Sequence, residues 1–334
     1  MVSAIAILLM LHVNSCAQKK HKQPKLKKMG GVSFVSTNST IPDSSFIPIR
    51  RINADWVSII PYSFCNKEDP TVHFDHPTQW YGERSEGTRK LINQAKKTGL
   101  KVMLKPHVWV VGDGWPGDLD FTSEAACLKW EESYEKYILN FARIAAETKV
   151  EVYAVGTECR HLARKRPQYW RELIKKVRSV YSGKVTYAAN WDNYENITFW
   201  DQVDFIGIDA YFIVNELQEA NEKEMVNAWN EVSKKLTEVS NRYNKDILFT
   251  EYGFQSIDYV AKGKWESHEK RINLNNQKKA YRAFFESIWN EDWMLGGFLW
   301  KWYPRHHKAG GEKDIKFTPQ NKPAEEVIRK YYQK

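Results

Sequence analysis

Cysteine is scarce in this chain of 334 residues. Its four cysteines, Cys16, Cys65, Cys127 and Cys159, stand far apart. That spacing excludes a disulfide framework and a zinc motif, and with Cys16 set aside at most one pair can bridge, leaving Cys65 and Cys127 as candidates. Cys159 reads as a small buried residue rather than a nucleophile, despite its neighbour Glu158. Phosphate-cradling loops are missing as well: no GxGxxG or GxxxxGK[ST] follows the first strand-like run. There is no Ser-His-Asp arrangement and no compact cluster of histidines and carboxylates, and His306-His307 is an isolated loop pair. Positive charge looks plentiful at +9, but the six lysines of residues 19–28 (KKHKQPKLKK) carry most of it and leave +3 for everything else. A body so near neutrality gives no footprint for nucleic acid.

Residues 2–13 form an apolar run, too short to cross a bilayer. It ends in Val13-Asn14-Ser15-Cys16, which resembles a bacterial lipobox. Residues 1–16 therefore read as an export segment with Cys16 as the lipidated residue, which would tether the protein to a membrane surface; ordinary secretion and a mis-assigned start with no export are the alternatives. Residues 17–29 read as a solvated basic tether, with attraction to anionic lipid head groups as its second reading. Residues 30–334 are expected to form one catalytic domain.

Aromatic residues are abundant, at 14% with 14 Trp and 17 Tyr. Many stand beside polar residues, and amphipathic rings suit sugar faces as well as cores. Eight short apolar runs recur along the chain: 30–36 (GGVSFVS), 55–61 (DWVSIIP), 100–107 (LKVMLKPH), 151–157 (EVYAVGT), 184–190 (KVTYAAN), 203–211 (VDFIGIDAY), 246–250 (DILFT) and 296–302 (GGFLWKW). Near-continuous apolar runs are what buried parallel strands require. Between them lie helical patterns at 83–98, ending at the natural C-cap Gly99, and at 124–148, 167–181, 219–243 and 274–290, with a short helical connection at 197–202 and a final helix at 323–332. Residues 38–51 read as a loop with a short helix. Eight strands alternating with helices over about 300 residues predict an α/β fold, a single (β/α)8 TIM barrel.

In such a barrel the chemistry sits at the C-terminal ends of the strands. Those ends supply Tyr62, then Lys105, His107 and Trp109, then Glu158, then Asn190, Trp191 and Asp192, then Asp209 and Tyr211, then Glu251 and Tyr252, and last Trp300 and Trp302. Glu158 and Glu251 each close an apolar run, on the fourth and seventh strands. Two carboxyls converging among aromatic rings are the equipment of a glycosidase, in which one protonates the leaving oxygen and the other attacks the sugar or activates water. Their surroundings must hold one protonated and the other ionised. Trp300 and Trp302 alternate along a strand, so one faces the barrel mouth, and Trp300 is that one. Asp192 and Asp209 read as supporting or loop residues.

The set LKPHVWV, YAVGTE, KVTYAANW, VDFIGIDAYF, LFTEYGF and GGFLWKW resembles glycoside hydrolase family 113, within a large clan of retaining (β/α)8 glycosidases. Thr157 stands before the first glutamate, where many families of the clan have Asn; family 113 shares the departure. The resemblance covers residues 30–303. It implies β-1,4-mannanase activity by a retaining mechanism with no required metal or other cofactor. By the same resemblance, Glu158 is the general acid/base, Glu251 the nucleophile, Tyr211 a neighbour of the nucleophile and Trp300 the platform under the sugar at the cleaved end. His107, Trp109, Asn190 and Trp191 are implied as substrate contacts. The expected partner is β-mannan or another β-linked oligosaccharide. Hydrolysis of glucan, xylan or galactan, or glycan binding without catalysis, stay open as alternatives.

Overall fold

A computed structural model describes residues 27–112, 114–262 and 271–333. Residues 1–16, expected to be an export segment ending in a lipidated Cys16, lie outside the described residues. Among the described residues there are ten strands: β1 (Met29–Phe34), β2 (Trp56–Ile59), β3 (Tyr62–Cys65), β4 (Lys101–Leu104), β5 (His107–Val110), β6 (Val152–Thr157), β7 (Lys184–Asn190), β8 (Ile206–Asp209), β9 (Ile247–Tyr252) and β10 (Met294–Trp302). Eight of them close into a barrel in the order β1-β10-β9-β8-β7-β6-β4-β2. All of the pairings are parallel. The helices are α1 (Ile47–Arg51), α2 (Ser85–Lys97), α3 (Glu124–Glu147), α4 (Arg160–Lys165), α5 (Pro167–Val180), α6 (Glu222–Tyr243), α7 (Leu274–Ser287) and α8 (Pro323–Tyr332). The chain is thus a (β/α)8 TIM barrel, as its alternation predicts.

The barrel floor is filled by Trp56, Met103, Val152, Phe205, Leu248 and Phe298, one large side chain from each of six strands or strand approaches. Packing there leaves no room beside β1: a Cβ on Gly31 would lie 2.5 Å from the Phe298 ring. The larger apolar layer lies between the strands and the helices and includes Trp130, Tyr137, Trp170, Trp229 and Phe284, all fully buried. Gly99 takes the left-handed conformation expected of a C-cap, at φ +79°, and so turns the end of α2 into β4.

The structure corrects one boundary that matters for the site. Residues 100–107 are not one strand. β4 leaves the barrel ladder after Leu104, Pro106 interrupts the run because it has no N–H to donate, and β5 begins at His107. Pro61 interrupts the neighbouring run in the same way between β2 and β3. The two chains leave the barrel together, with Lys105 N–H donating to Ile59 O and His107 N–H to Pro61 O, each at 2.9 Å. They then pair again as a separate two-stranded sheet that puts Tyr62 opposite His107 and Phe64 opposite Trp109. The short helix α4 is a second feature that periodicity does not reveal. Cys65, Cys127 and Cys159 are free and buried, so the Cys65–Cys127 bridge is not formed.

Candidate active site

β6 and β9 stand three positions apart around the ring, and each delivers a glutamate to the mouth. Glu158 follows the last residue of β6 and turns sharply, at φ +53°, a left-handed conformation that costs a non-glycine residue about 1–2 kcal/mol. Backbone bonds hold that turn: Glu158 N–H donates to Ala188 O at 2.8 Å and Arg160 N–H donates to Glu158 O at 2.7 Å. Its Oε2 accepts from Trp115 Nε1 at 2.5 Å. The Arg160 guanidinium lies over the Trp115 ring, 4.6 Å from its centre, and bonds Asp192 at 2.5 Å. Asp192 in turn accepts from Asn190 Nδ2 at 2.8 Å. Asn190 is therefore connected to Glu158 through Asp192, Arg160 and Trp115.

Glu251 lies within β9 and is better supplied with donors. Lys105 Nζ donates to its Oε1 at 2.6 Å, and Tyr211 OH to its Oε2 at 2.7 Å. The same ammonium donates to Asp209 Oδ1 at 2.7 Å, an oxygen that also accepts from Thr250 Oγ1 at 2.7 Å. The Lys105 and Asp209 side chains are wholly buried. His107 Nε2 lies 3.4 Å from Glu251 Oε1 but without hydrogen-bond alignment. Burial, and then the charge of Lys105, hold the His107 imidazole well below its ordinary pKa, so the ring is neutral and the contact is not an ion pair. Burial opposes the charge of Lys105, but Asp209 and Glu251 outweigh it and raise its pKa.

Burial raises both glutamates above the ordinary carboxyl range. The charges of Asp209 and Glu251 push Glu158 further in the same direction, and its one close donor is neutral. Asp209 also raises Glu251, but the charge of Lys105 and the hydrogen bonds of Lys105 and Tyr211 work against it. A cationic and a phenolic donor on one carboxyl, and a single indole on the other, form the asymmetry that separates an ionised from a protonated acid.

Beside the pair opens a cavity of about 810 Å³ lined by Tyr62, Trp80, Glu83, Trp109, Trp300 and Tyr303 among others. Trp300 stands parallel to His107 with ring centres 6.1 Å apart. Tyr62 meets His107 edge-on at 5.2 Å and Trp109 at 6.3 Å. Trp80 and Trp109 are 51% and 55% exposed; indoles left this open on a concave wall are suited to stacking on a ligand face. Trp302 points into the core and is fully buried. Trp191 packs edge-on against Phe212, 5.9 Å away, and does not line this cavity. His306 bonds Glu325 at 2.7 Å. Among the described residues no group of three His, Cys, Asp or Glu could hold a metal ion.

The structure thus gathers Glu158, Glu251, His107, Tyr211 and Trp300 at one mouth, with Trp109 on the cavity wall, Asn190 one layer behind and Trp191 to the side. Sequence reasoning placed Lys105 at a strand end without giving it a role, and it missed Trp115, Arg160 and Trp80. Lys105 had a signal, a lone charge ending the apolar run VMLKP. Trp115 and Trp80 reach in from loops and had none.

The model of glycoside hydrolase family 113 matches residues 38–322. The chain belongs to this family. Family 113 membership makes it a glycoside hydrolase. Among solved structures, it is similar to a family 113 β-mannanase from Alicyclobacillus acidocaldarius in complex with ManMIm, with TM-score 0.81 and 26% identity over 92% of this chain and 98% of that one. It is also similar to a family 113 β-1,4-mannanase with TM-score 0.79 and 28% identity, over 92% and 99% of the two chains. A β-glucuronidase from Faecalibacterium prausnitzii, at 13% identity and TM-score 0.61 over 92% of this chain and 49% of that one, shares the fold. No curated protein sequence matches the chain significantly.

Proposed function

We propose that this family 113 enzyme is a retaining hydrolase of β-1,4-mannan or manno-oligosaccharides. The unequal bracing of its two glutamates carries the reading. Glu251, with Lys105 at 2.6 Å and Tyr211 at 2.7 Å, is the carboxylate that attacks the anomeric carbon. Glu158 gives its proton to the glycosidic oxygen as that bond breaks and the bond to Glu251 forms. In the second step Glu158, now ionised, takes a proton from water, whose oxygen attacks the same carbon and releases Glu251. Lys105 and Tyr211 receive the returning charge of Glu251, and Trp300 packs under the apolar face of the sugar. Similarity to two solved family 113 β-mannanases supports mannan as the substrate.

The test is product analysis on mannohexaose, cellohexaose and xylohexaose, with proton NMR of the first product formed. Manno-oligosaccharides released first as the β-anomer support the proposal; the α-anomer first would overturn retention. Cleavage of another hexaose keeps the two-glutamate chemistry and discards mannan. Tight binding of mannohexaose without any cleavage would replace catalysis by glycan capture. Glu158→Ala is expected to lose ~10²–10⁴-fold in kcat, the usual worth of a general acid. Glu251→Ala should be inactive, and near wild-type turnover by either variant would refute the assignment.

A further inference from the structure

Past the cavity beside Trp300 the cleft continues into a second hollow of about 560 Å³. The two share Val35, Ser36, Trp80 and Tyr303 and so form one groove. The far part is walled by Arg305, Lys308 and Lys316, all exposed. Lys301 stands in the near part, its ammonium 5.3 Å from the centre of the Trp300 ring and 5.8 Å from that of Tyr303. No salt bridge among the described residues engages any of these four cations, whereas nearby Lys322 and His306 each have a carboxylate partner.

Two carboxyls line the groove, and neither neutralises the cations. Asp314 is held by Lys322 Nζ at 2.8 Å, and the Lys322 side chain is itself buried. Glu83 is buried and pushed up to about 7 by that burial. The groove is therefore basic in a protein whose charge outside residues 19–28 is only +3. Three exposed cations without carboxylate partners, backed by the partly buried Lys301, on which the charge of Glu251 acts, line a groove walled by aromatic rings and form a surface that selects negative charge on an otherwise neutral sugar chain.

We infer that this arm of the cleft takes an anionic saccharide unit, bearing carboxylate or sulfate, attached to the neutral sugar that lies over Trp300. The inference rests on the glycan-hydrolase reading above. Arg305 offers a planar fork for a carboxylate or sulfate, and Lys308 and Lys316 add mobile point charges around it.

Calorimetry on the full-length Glu251→Gln protein reads the inference through binding alone. The probes are β-1,4-mannotriose, the β-1,4-linked mannuronate trisaccharide, which has the same rings and linkage with carboxylates at C6, and 6-O-sulfated mannotriose. At least one anionic probe should bind about tenfold or more tightly than mannotriose at ~20 mM salt, and screening should shrink that advantage at ~0.5 M. Which anionic probe wins separates carboxylate from sulfate. Adding Arg305→Ala, Lys308→Ala and Lys316→Ala should bring the probes to parity, and Lys308→Arg with Lys316→Arg should keep the preference. Parity in the parent protein, or a preference that survives the triple alanine change, would overturn the inference and leave mannan hydrolysis standing. Failure of the hexaose panel would overturn the hydrolase reading and leave this binding result intact.

Discussion

Replacing Lys105 by Met removes the cation that both Glu251 and Asp209 contact. Unit charges 2.6 Å apart attract by about 6 kcal/mol at an effective dielectric constant of about 20. Side-chain and water rearrangement will recover part of that. If half is lost, about 3 kcal/mol, the Glu251 carboxyl rises by about 2 pKa units at 1.36 kcal/mol per unit. In the proposed mechanism the acidic limb of kcat/KM reports ionisation of Glu251 in the free enzyme, so it should move up by about 2 units and activity on its acidic side should fall ~100-fold. The assay is kcat/KM on mannohexaose from pH 4 to pH 9, with the fold checked by circular dichroism at each pH. Stability should change with the same sign. A carboxyl whose folded pKa is raised stabilises the fold below its unfolded pKa and loses that contribution as pH rises through the folded value. Lys105→Met should therefore be most nearly wild type in Tm at low pH and weakest at high pH. An unshifted acidic limb at near wild-type kcat/KM would refute the argument that Lys105 keeps Glu251 ionised.

Further outcomes follow from the same geometry. Trp115→Phe deletes the N–H that favours ionised Glu158, a bond to a charged group worth about 1.5–3 kcal/mol. The basic limb of kcat/KM should move upward, and a downward shift would contradict the assigned role. In the wild type both glutamates are raised, so their stabilising contribution is complete below the ordinary carboxyl range and declines as pH rises through the raised values. Tm should fall more between pH 5 and pH 8 in the wild type than in Glu158→Gln/Glu251→Gln, and equal slopes would count against it. Gly31→Ala drives a methyl toward the Phe298 ring at 2.5 Å and should cost about 1–3 kcal/mol, seen as a lower Tm with activity per folded molecule retained.

The barrel was legible because its strands are buried on both faces and interrupted at regular intervals, which leaves apolar runs of a recognisable length. Glu158 and Glu251 were legible because a charge that ends such a run has nowhere to go but the mouth. Their bracing was not. Lys105 and Glu251 are 146 residues apart and meet only because the barrel closes; nothing local to either marks the other. Trp115 depends on the path of a loop, and the connection from Asn190 through Asp192 and Arg160 to Trp115 crosses three segments. The break at Pro106 was readable in principle, since a proline cannot sit inside a central strand, but the apolar residues on both sides made one run of two.

The small sheet of β3 and β5 separates two jobs that most cleft walls combine. Its frame is main chain, joined to the barrel by the bonds from Lys105 and His107. Along it, Tyr62, Phe64 and His107 are partly exposed and Trp109 is exposed, while Ser63, Cys65, Val108 and Val110 are buried behind them. Phe64 and Trp109 donate no hydrogen bond to either glutamate. An engineer, or natural variation, can therefore rewrite those two outward positions and reshape this wall of the cleft while Glu158 and Glu251 keep their places. The sheet works as an exchangeable faceplate bolted to a fixed engine.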